Sequence, residues 1–320
     1  MMTRLINWLL PQWAMNPLLE YKWLHPRVDD SRRGFVMQML ALALSLAGAA
    51  LIYASMTGLA GDSQSVTRLV WQSLYFPTLA LQGLTSIGAL LLGAAVFDAQ
   101  SQGNTWDNLR VTEIGAGLAL RARWMSILYR LRASIIAILL LRLILALGIL
   151  SDLTAFSGNY VKMLSADALI STADLPISLL QIALSLTASV LLPLPMIASF
   201  AALGILLGVA VKDRLFAAMV QILLVVSLVV FVSSASYAVA QLLRDNIALP
   251  DMAEFLLFLS YSSYGDWGLS LLQLGNLGAV WQRVPFGILS GLGLAGLLLA
   301  QALIADGMMW LAERLAERQS

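Results

Sequence analysis

Few side chains in this chain could do chemistry, and their types exclude most of it. There are three lysines, Lys22, Lys162 and Lys212, and none follows a glycine. A phosphate-cradling GxxxxGK[ST] loop is therefore missing, and with it that route to ATP. The single histidine, His25, cannot build a multi-histidine metal site. The lack of cysteine removes thiolate ligands, Cys nucleophiles and disulfides. Neither HExxH nor GxSxG occurs, so zinc-protease and serine-hydrolase chemistry have no motif to stand on. Two features remain. One is Arg142, alone in a long apolar run. The other is the polar stretch Asp98–Arg132, in which Thr105, Trp106, Asp107, Leu109, Arg110, Thr112 and Glu113 bring charges, hydroxyls and an aromatic together.

The elements that must position these residues follow from hydropathy. Of 320 residues, 60% are hydrophobic and 12% charged, and the mean hydropathy is +0.83. Soluble domains carry about 25% charged residues. The net charge of +1 is spread between apolar runs, a pattern that points to a membrane domain and gives no footing for nucleic acid. A helix crosses a bilayer core with roughly 20 apolar residues. Six segments qualify: Gly34–Thr57, Phe76–Phe97, Ala133–Leu150, Leu179–Val211, Leu215–Gln241 and Phe286–Ala305. The expected fold is all-α and polytopic, with a single six-helix domain over 34–305. Pro193 and Pro195 predict a kink in the fourth span.

Lysine and arginine are distributed unevenly about these spans. Arg4, Lys22, Arg27, Arg32 and Arg33 precede the first. Arg110, Arg121, Arg123, Arg130 and Arg132 lie between the second and third. Lys212, Arg214, Arg314 and Arg318 complete that side, against Arg68, Lys162, Arg244 and Arg283 on the other. The positive-inside rule then places both termini in the cytoplasm.

Outside the spans, residues 1–33 form an arm rich in Leu with Trp8, Trp13 and Trp23, suited to lie on the inner leaflet. No small-x-small site follows the first apolar run, so no cleaved signal peptide is expected. Asn104 and Thr112 are placed to cap short helices between spans two and three. Leu120–Arg132 mixes arginines with Trp124, Ile127, Leu128 and Leu131, and its cations suit anionic headgroups. The segment Leu242–Pro285 holds apolar runs too short to cross, and predicts two short outer helices joined near Tyr264–Asp266. Gly287, Gly291, Gly293 and Gly296 offer small-residue packing in span six. Residues 306–320 continue that span as its cytoplasmic end.

Arg142 has two readings. It lines a pathway or pairs across helices, or it is held by a nearby amide such as Gln181 or Gln221. No acid lies comparably deep in a span, which disfavours a proton-coupled carrier. A membrane enzyme acting on lipids would need His, Asp or Glu clustered at one depth, and none is.

The stretch after span two resembles the corresponding loop of the ABC-2 type transporter permeases, whose pattern is E-x-E-x-G-T-[LW]-[ED]-x-L-x-x-[ST]-P. Gly103, Thr105, Trp106, Asp107, Leu109 and Thr112 match it. Asn104 is inserted, Gln100 and Gln102 replace the leading acids, and Glu113 stands where proline is usual. The segment Asn16–Lys22 is similar to the arm that precedes span one in the same family. The resemblance implies a non-enzymatic permease subunit of an exporter in a prokaryotic inner membrane. It would pair with a second copy or a related permease. ATP and Mg would be bound by a separate P-loop ATPase that docks on Thr105–Glu113. A scaffold or assembly subunit with the same fold, without transport, is the alternative.

Overall fold

The computed structural model describes residues 66–101, 115–154, 175–211, 213–243, 246–264 and 290–318. Every regular element among them is an α-helix. The arm 1–33, the expected span Gly34–Thr57 and the loop residues Thr105 to Glu113 lie outside the described residues.

Helix α1 spans Val66–Ser101. At about 1.5 Å per residue it is longer than a ~30 Å hydrocarbon core demands. It overruns the expected Phe76–Phe97 at both ends because neither flank offers a helix-stopping glycine or proline before Gly103. Helix α2 covers Gly115–Arg130 and α3 covers Arg132–Thr154. They meet at Leu131, whose N–H still donates to Ile127 O at 3.0 Å. The junction is thus a bend in a nearly continuous helix.

The expected fourth span is divided. Helix α4 is Leu175–Leu191 and α5 is Pro193–Ala210. Leu192 keeps helical dihedrals, φ −55° and ψ −32°. The break comes from chemistry, since Pro193 and Pro195 have no N–H to give the carbonyls of Ser189 and Leu191. Helix α6, Arg214–Leu243, starts where Asp213 accepts from the Leu215 N–H at 2.9 Å, a side-chain cap on an otherwise orphan donor. Helix α7 is Asp251–Tyr264, and α8 runs unbroken over Ser290–Arg318. Of the two short helices expected between spans five and six, α7 supplies the first. The place of the second is outside the described residues.

Helix α5 is the centre of the bundle, packed chiefly against α1 and α8. Leu81, Ala89, Leu120, Ile127, Ile138, Ile197, Ala201, Ile205, Met309 and Ala312 form one buried core joining α1, α2, α3, α5 and α8. Its tightest point is a crossing of α1 and α5 at two glycines. A Cβ on Gly93 would lie 2.7 Å from the Ala201 carbonyl oxygen and 2.9 Å from Gly204 Cα. One on Gly204 would overlap the Leu90 carbonyl oxygen. Of the small residues expected in span six, Gly296 makes no comparable contact, with nothing within 4 Å of its would-be Cβ.

Helix α6 is built differently. Leu215, Met219, Ile222, Leu223, Val226, Val230 and Tyr237 are all exposed on it. A broad exposed apolar face of this kind is costly in water and neutral against lipid.

Candidate functional site

Two places in the bundle hold polar side chains that packing alone does not require. The first lies mid-span. Helix α3 is apolar from Ala133 to Leu150 apart from Ser134 and Arg142. Arg142 has 0% of its surface exposed, and its Nη1 donates to Gln82 Oε1 at 2.7 Å. The sequence offered Gln181 or Gln221 as the amide. The structure places Gln82 of α1 there instead, because α3 packs on α1.

Gln82 belongs to a polar row. Thr78, Gln82 and Ser86 recur every four residues, so they share one face of α1, and all three are buried. The Thr78 and Thr85 hydroxyls donate to Leu74 O and Leu81 O, each at 2.7 Å. Gln82 Nε2 and Ser86 Oγ have no hydrogen-bond partner among the described residues. On α4, Ser185 Oγ and Ser189 Oγ are in the same state.

The glycine crossing gives the depth of this row. Helices α1 and α5 meet at Gly93 and Gly204. Counting back eleven residues on each, about 16 Å at 1.5 Å per residue, reaches Gln82 on α1 and Pro193 on the other. The break between α4 and α5 therefore lies level with the buried guanidinium.

The second place is α2. The sequence reading treats Leu120–Arg132 as a cationic segment for headgroups, but three of its polar side chains turn to protein. Arg121 Nε donates to Glu313 Oε1 of α8 at 2.6 Å, with Asp306 4.0 Å away. The Glu313 hydrogen bond raises the Arg121 pKa above its ordinary value. Arg123 is buried, and burial pushes its pKa down to about 10. It still carries charge at neutral pH. Trp124 Nε1 donates to the Ala198 carbonyl of α5 at 2.8 Å. Helix α2 is thereby tied to α5 by an indole and to α8 by an ion pair. The exposed cations lie at its end, Arg130 and, on the first residue of α3, Arg132. Arg132 stacks 4.0 Å from the Tyr129 ring, and on α8 Arg314 lies 5.3 Å from the Trp310 ring. Aromatic-cation pairs of this kind suit the headgroup zone.

The Arg121–Glu313 tie makes a prediction. Glu313 is 15% exposed in its side chain and Arg121 38%, so solvent screens part of the attraction. A double-mutant cycle with Arg121→Ala and Glu313→Ala should return a coupling of about 0.5–1 kcal/mol. It should shrink with added salt, read as thermal stability in detergent.

Of the residues singled out in the sequence, Arg142 is described and Thr105, Trp106, Asp107, Leu109, Arg110, Thr112 and Glu113 are not. Gln82, Ser86, Gly93, Gly204 and Trp124's acceptor went unmarked. Gln82 had one legible signal, its place within a polar four-residue spacing on an apolar span. No group of His, Cys, Asp or Glu able to hold a metal occurs among the described residues.

Five described helices are long and apolar enough to cross a membrane: Pro77–Ala94, Arg132–Leu150, Ala183–Ala210, Leu215–Val239 and Gly291–Arg318 in their apolar windows. That is the make-up of a multi-pass membrane protein. Compared with known protein families, with curated proteins and with solved structures, the chain matches none.

Proposed function

We propose that this chain is the membrane-spanning permease subunit of an ATP-driven exporter of the ABC-2 type, energised by a separate ATPase that docks on Thr105–Glu113. The observation that carries the reading is what α2 does. The chain between Ser101 and Gly115 joins α1 to α2, so a push on it reaches both helices. Helix α2 is fastened to α5 by Trp124 and to α8 by Arg121. A displacement of the loop would move α5 and α8 with it, which is what a transmitting element needs. A loop followed by an unattached helix would dissipate the motion.

In this reading Asp107, Arg110 and Glu113 make polar contacts with the ATPase and Trp106 is the buried anchor, as interface aromatics often are. Both chain ends and α2 face the cytoplasm, six spans cross a prokaryotic inner membrane, and a second permease completes the assembly. ATP and Mg belong to the partner.

The test is purification of the tagged chain in mild detergent from its native host. A P-loop ATPase should co-purify in stoichiometric amount. Trp106→Ala with Asp107→Ala should reduce its recovery about tenfold or more, the effect of losing an interface anchor, while the permease elutes as a folded species. A folded permease that never retains an ATPase would instead favour the scaffold reading.

A further inference from the structure

We propose that the outer face of the α2–α3 junction binds an anionic phospholipid, with Arg132 on the headgroup and the apolar stripe of α3 against an acyl chain. The site needs only that α3 crosses a bilayer, so it stands apart from the exporter reading. Tyr129, Arg132, Ile136, Leu140, Leu143 and Leu147 succeed one another at intervals of three or four residues, which places them on one helical face. All six are exposed. The bend at Leu131 keeps the helical phase. The Leu131 N–H donates to Ile127 O and the Ile135 N–H to Leu131 O, both at 3.0 Å. Arg142 lies on the buried side of the same helix and takes no part.

The order of groups along this face is that of a phospholipid. Arg132 opens the apolar window Arg132–Leu150, so its guanidinium stands at the edge of the hydrocarbon. One leaflet is about half of a ~30 Å core, or about ten helical residues. Ile136 and Leu140 fall within that depth and Leu143 closes it. Charge selects the headgroup. From Gly115 to Ser151 the chain carries five arginines and no Asp or Glu. Arg132 stacks 4.0 Å from the Tyr129 ring, and among the described residues no carboxylate pairs with it. Stacking holds the guanidinium by its face and leaves its N–H edge for an acceptor such as phosphate. Helix α8 shows the contrast. Its Arg314 lies 5.3 Å from the Trp310 ring, but Asp306, four residues before Trp310, and Glu317, three after Arg314, are exposed on the same face. Those acids repel an anionic headgroup, so the like pair on α8 makes no such site.

The test uses a reporter on the stripe. The chain has no cysteine, so Leu140→Cys in the full-length protein takes a single fluorophore. Residue 140 lies about 12 Å along the helix from Arg132, level with the middle of an acyl chain. The labelled protein is reconstituted in phosphatidylcholine vesicles that contain, at one fixed mole fraction, mid-chain-brominated phosphatidylglycerol or mid-chain-brominated phosphatidylcholine as quencher. Quenching should give an association about fivefold stronger for the glycerol lipid, the preference that one arginine confers near an anionic surface. Arg132→Gln should bring the ratio to about one and leave quenching by brominated phosphatidylcholine unchanged. A reporter at Leu303→Cys on α8 should show a ratio of about one throughout. Equal quenching by both lipids at residue 140, or a preference that survives Arg132→Gln, overturns the proposal. An equal preference at residue 303 overturns it too, since the attraction then belongs to the whole cationic side. A reporter at 140 that neither lipid quenches shows the stripe covered by protein and overturns it as well. None of these outcomes bears on whether an ATPase co-purifies.

Discussion

Gly204→Ala should cost this protein more stability than any other single methyl group added to the bundle. The methyl would overlap the Leu90 carbonyl oxygen and stand 3.0 Å from Gly93 Cα. Both neighbours are backbone, so no rotamer change makes room, and α1 must part from α5. Overpacking of a core costs typically 1–3 kcal/mol where side chains can shift. Here the upper end, about 3 kcal/mol, is expected. Gly93→Ala should behave alike, since its methyl meets the Ala201 oxygen and the Ile205 amide nitrogen at 2.7 and 2.9 Å. The control is on the same helix. Gly88→Ala meets nothing within 4 Å and should be neutral or stabilising by about 0.5–1 kcal/mol, the helical preference of alanine over glycine. Melting in detergent, followed by size-exclusion elution at fixed scan rate, separates the three. Equal melting of Gly204→Ala and Gly88→Ala would falsify the glycine crossing.

That crossing marks where sequence reading stops. Apolar runs reveal helices because lipid tolerates no unpaired backbone, and five of the six expected spans coincide with described apolar helices. The small-residue spacing that stands out in the sequence is in span six, at Gly287, Gly291, Gly293 and Gly296. The close approach at Gly93 and Gly204 uses one glycine from each of two helices far apart in the chain. Spacing within one helix reports a face. It does not report which partner arrives there. The same gap explains the amide of Arg142. A buried guanidinium predicts an acceptor, but Gln82, Gln181 and Gln221 are equivalent until helix adjacency is known.

Leu120–Arg132 was misjudged for a related reason. Its arginines read as a surface for lipid because basic residues beside a span usually are. Two of the four, Arg121 and Arg123, turn inward. Glu313, which receives Arg121, lies 192 residues away, beyond any local pattern. Arg123 is buried at a cost that composition cannot express. The loop Thr105–Glu113 is the opposite case, legible as a motif in the sequence and outside the described structure. The proposed function therefore draws its docking residues from the sequence and its transmission path from the helices behind them.

Gln82→Leu tests the polar row through stability alone. It removes the carbonyl that accepts from Arg142 Nη1 at 2.7 Å and sets apolar surface against a fully buried cation. Hydrogen bonds to charged groups contribute about 1.5–3 kcal/mol, and a loss of that size should appear as a lower melting midpoint. Arg142→Leu made in the Gln82→Leu background removes the charge as well. Replacing a buried polar pair by apolar residues of similar volume is often neutral or stabilising, so the double variant should melt well above Gln82→Leu and near wild type. The sign of this recovery carries the argument. A bundle that regains its stability without Arg142 and Gln82 does not need them in order to fold. If the double variant stays as unstable as the single, the pair is holding α1 and α3 together, and the seam's role is structural.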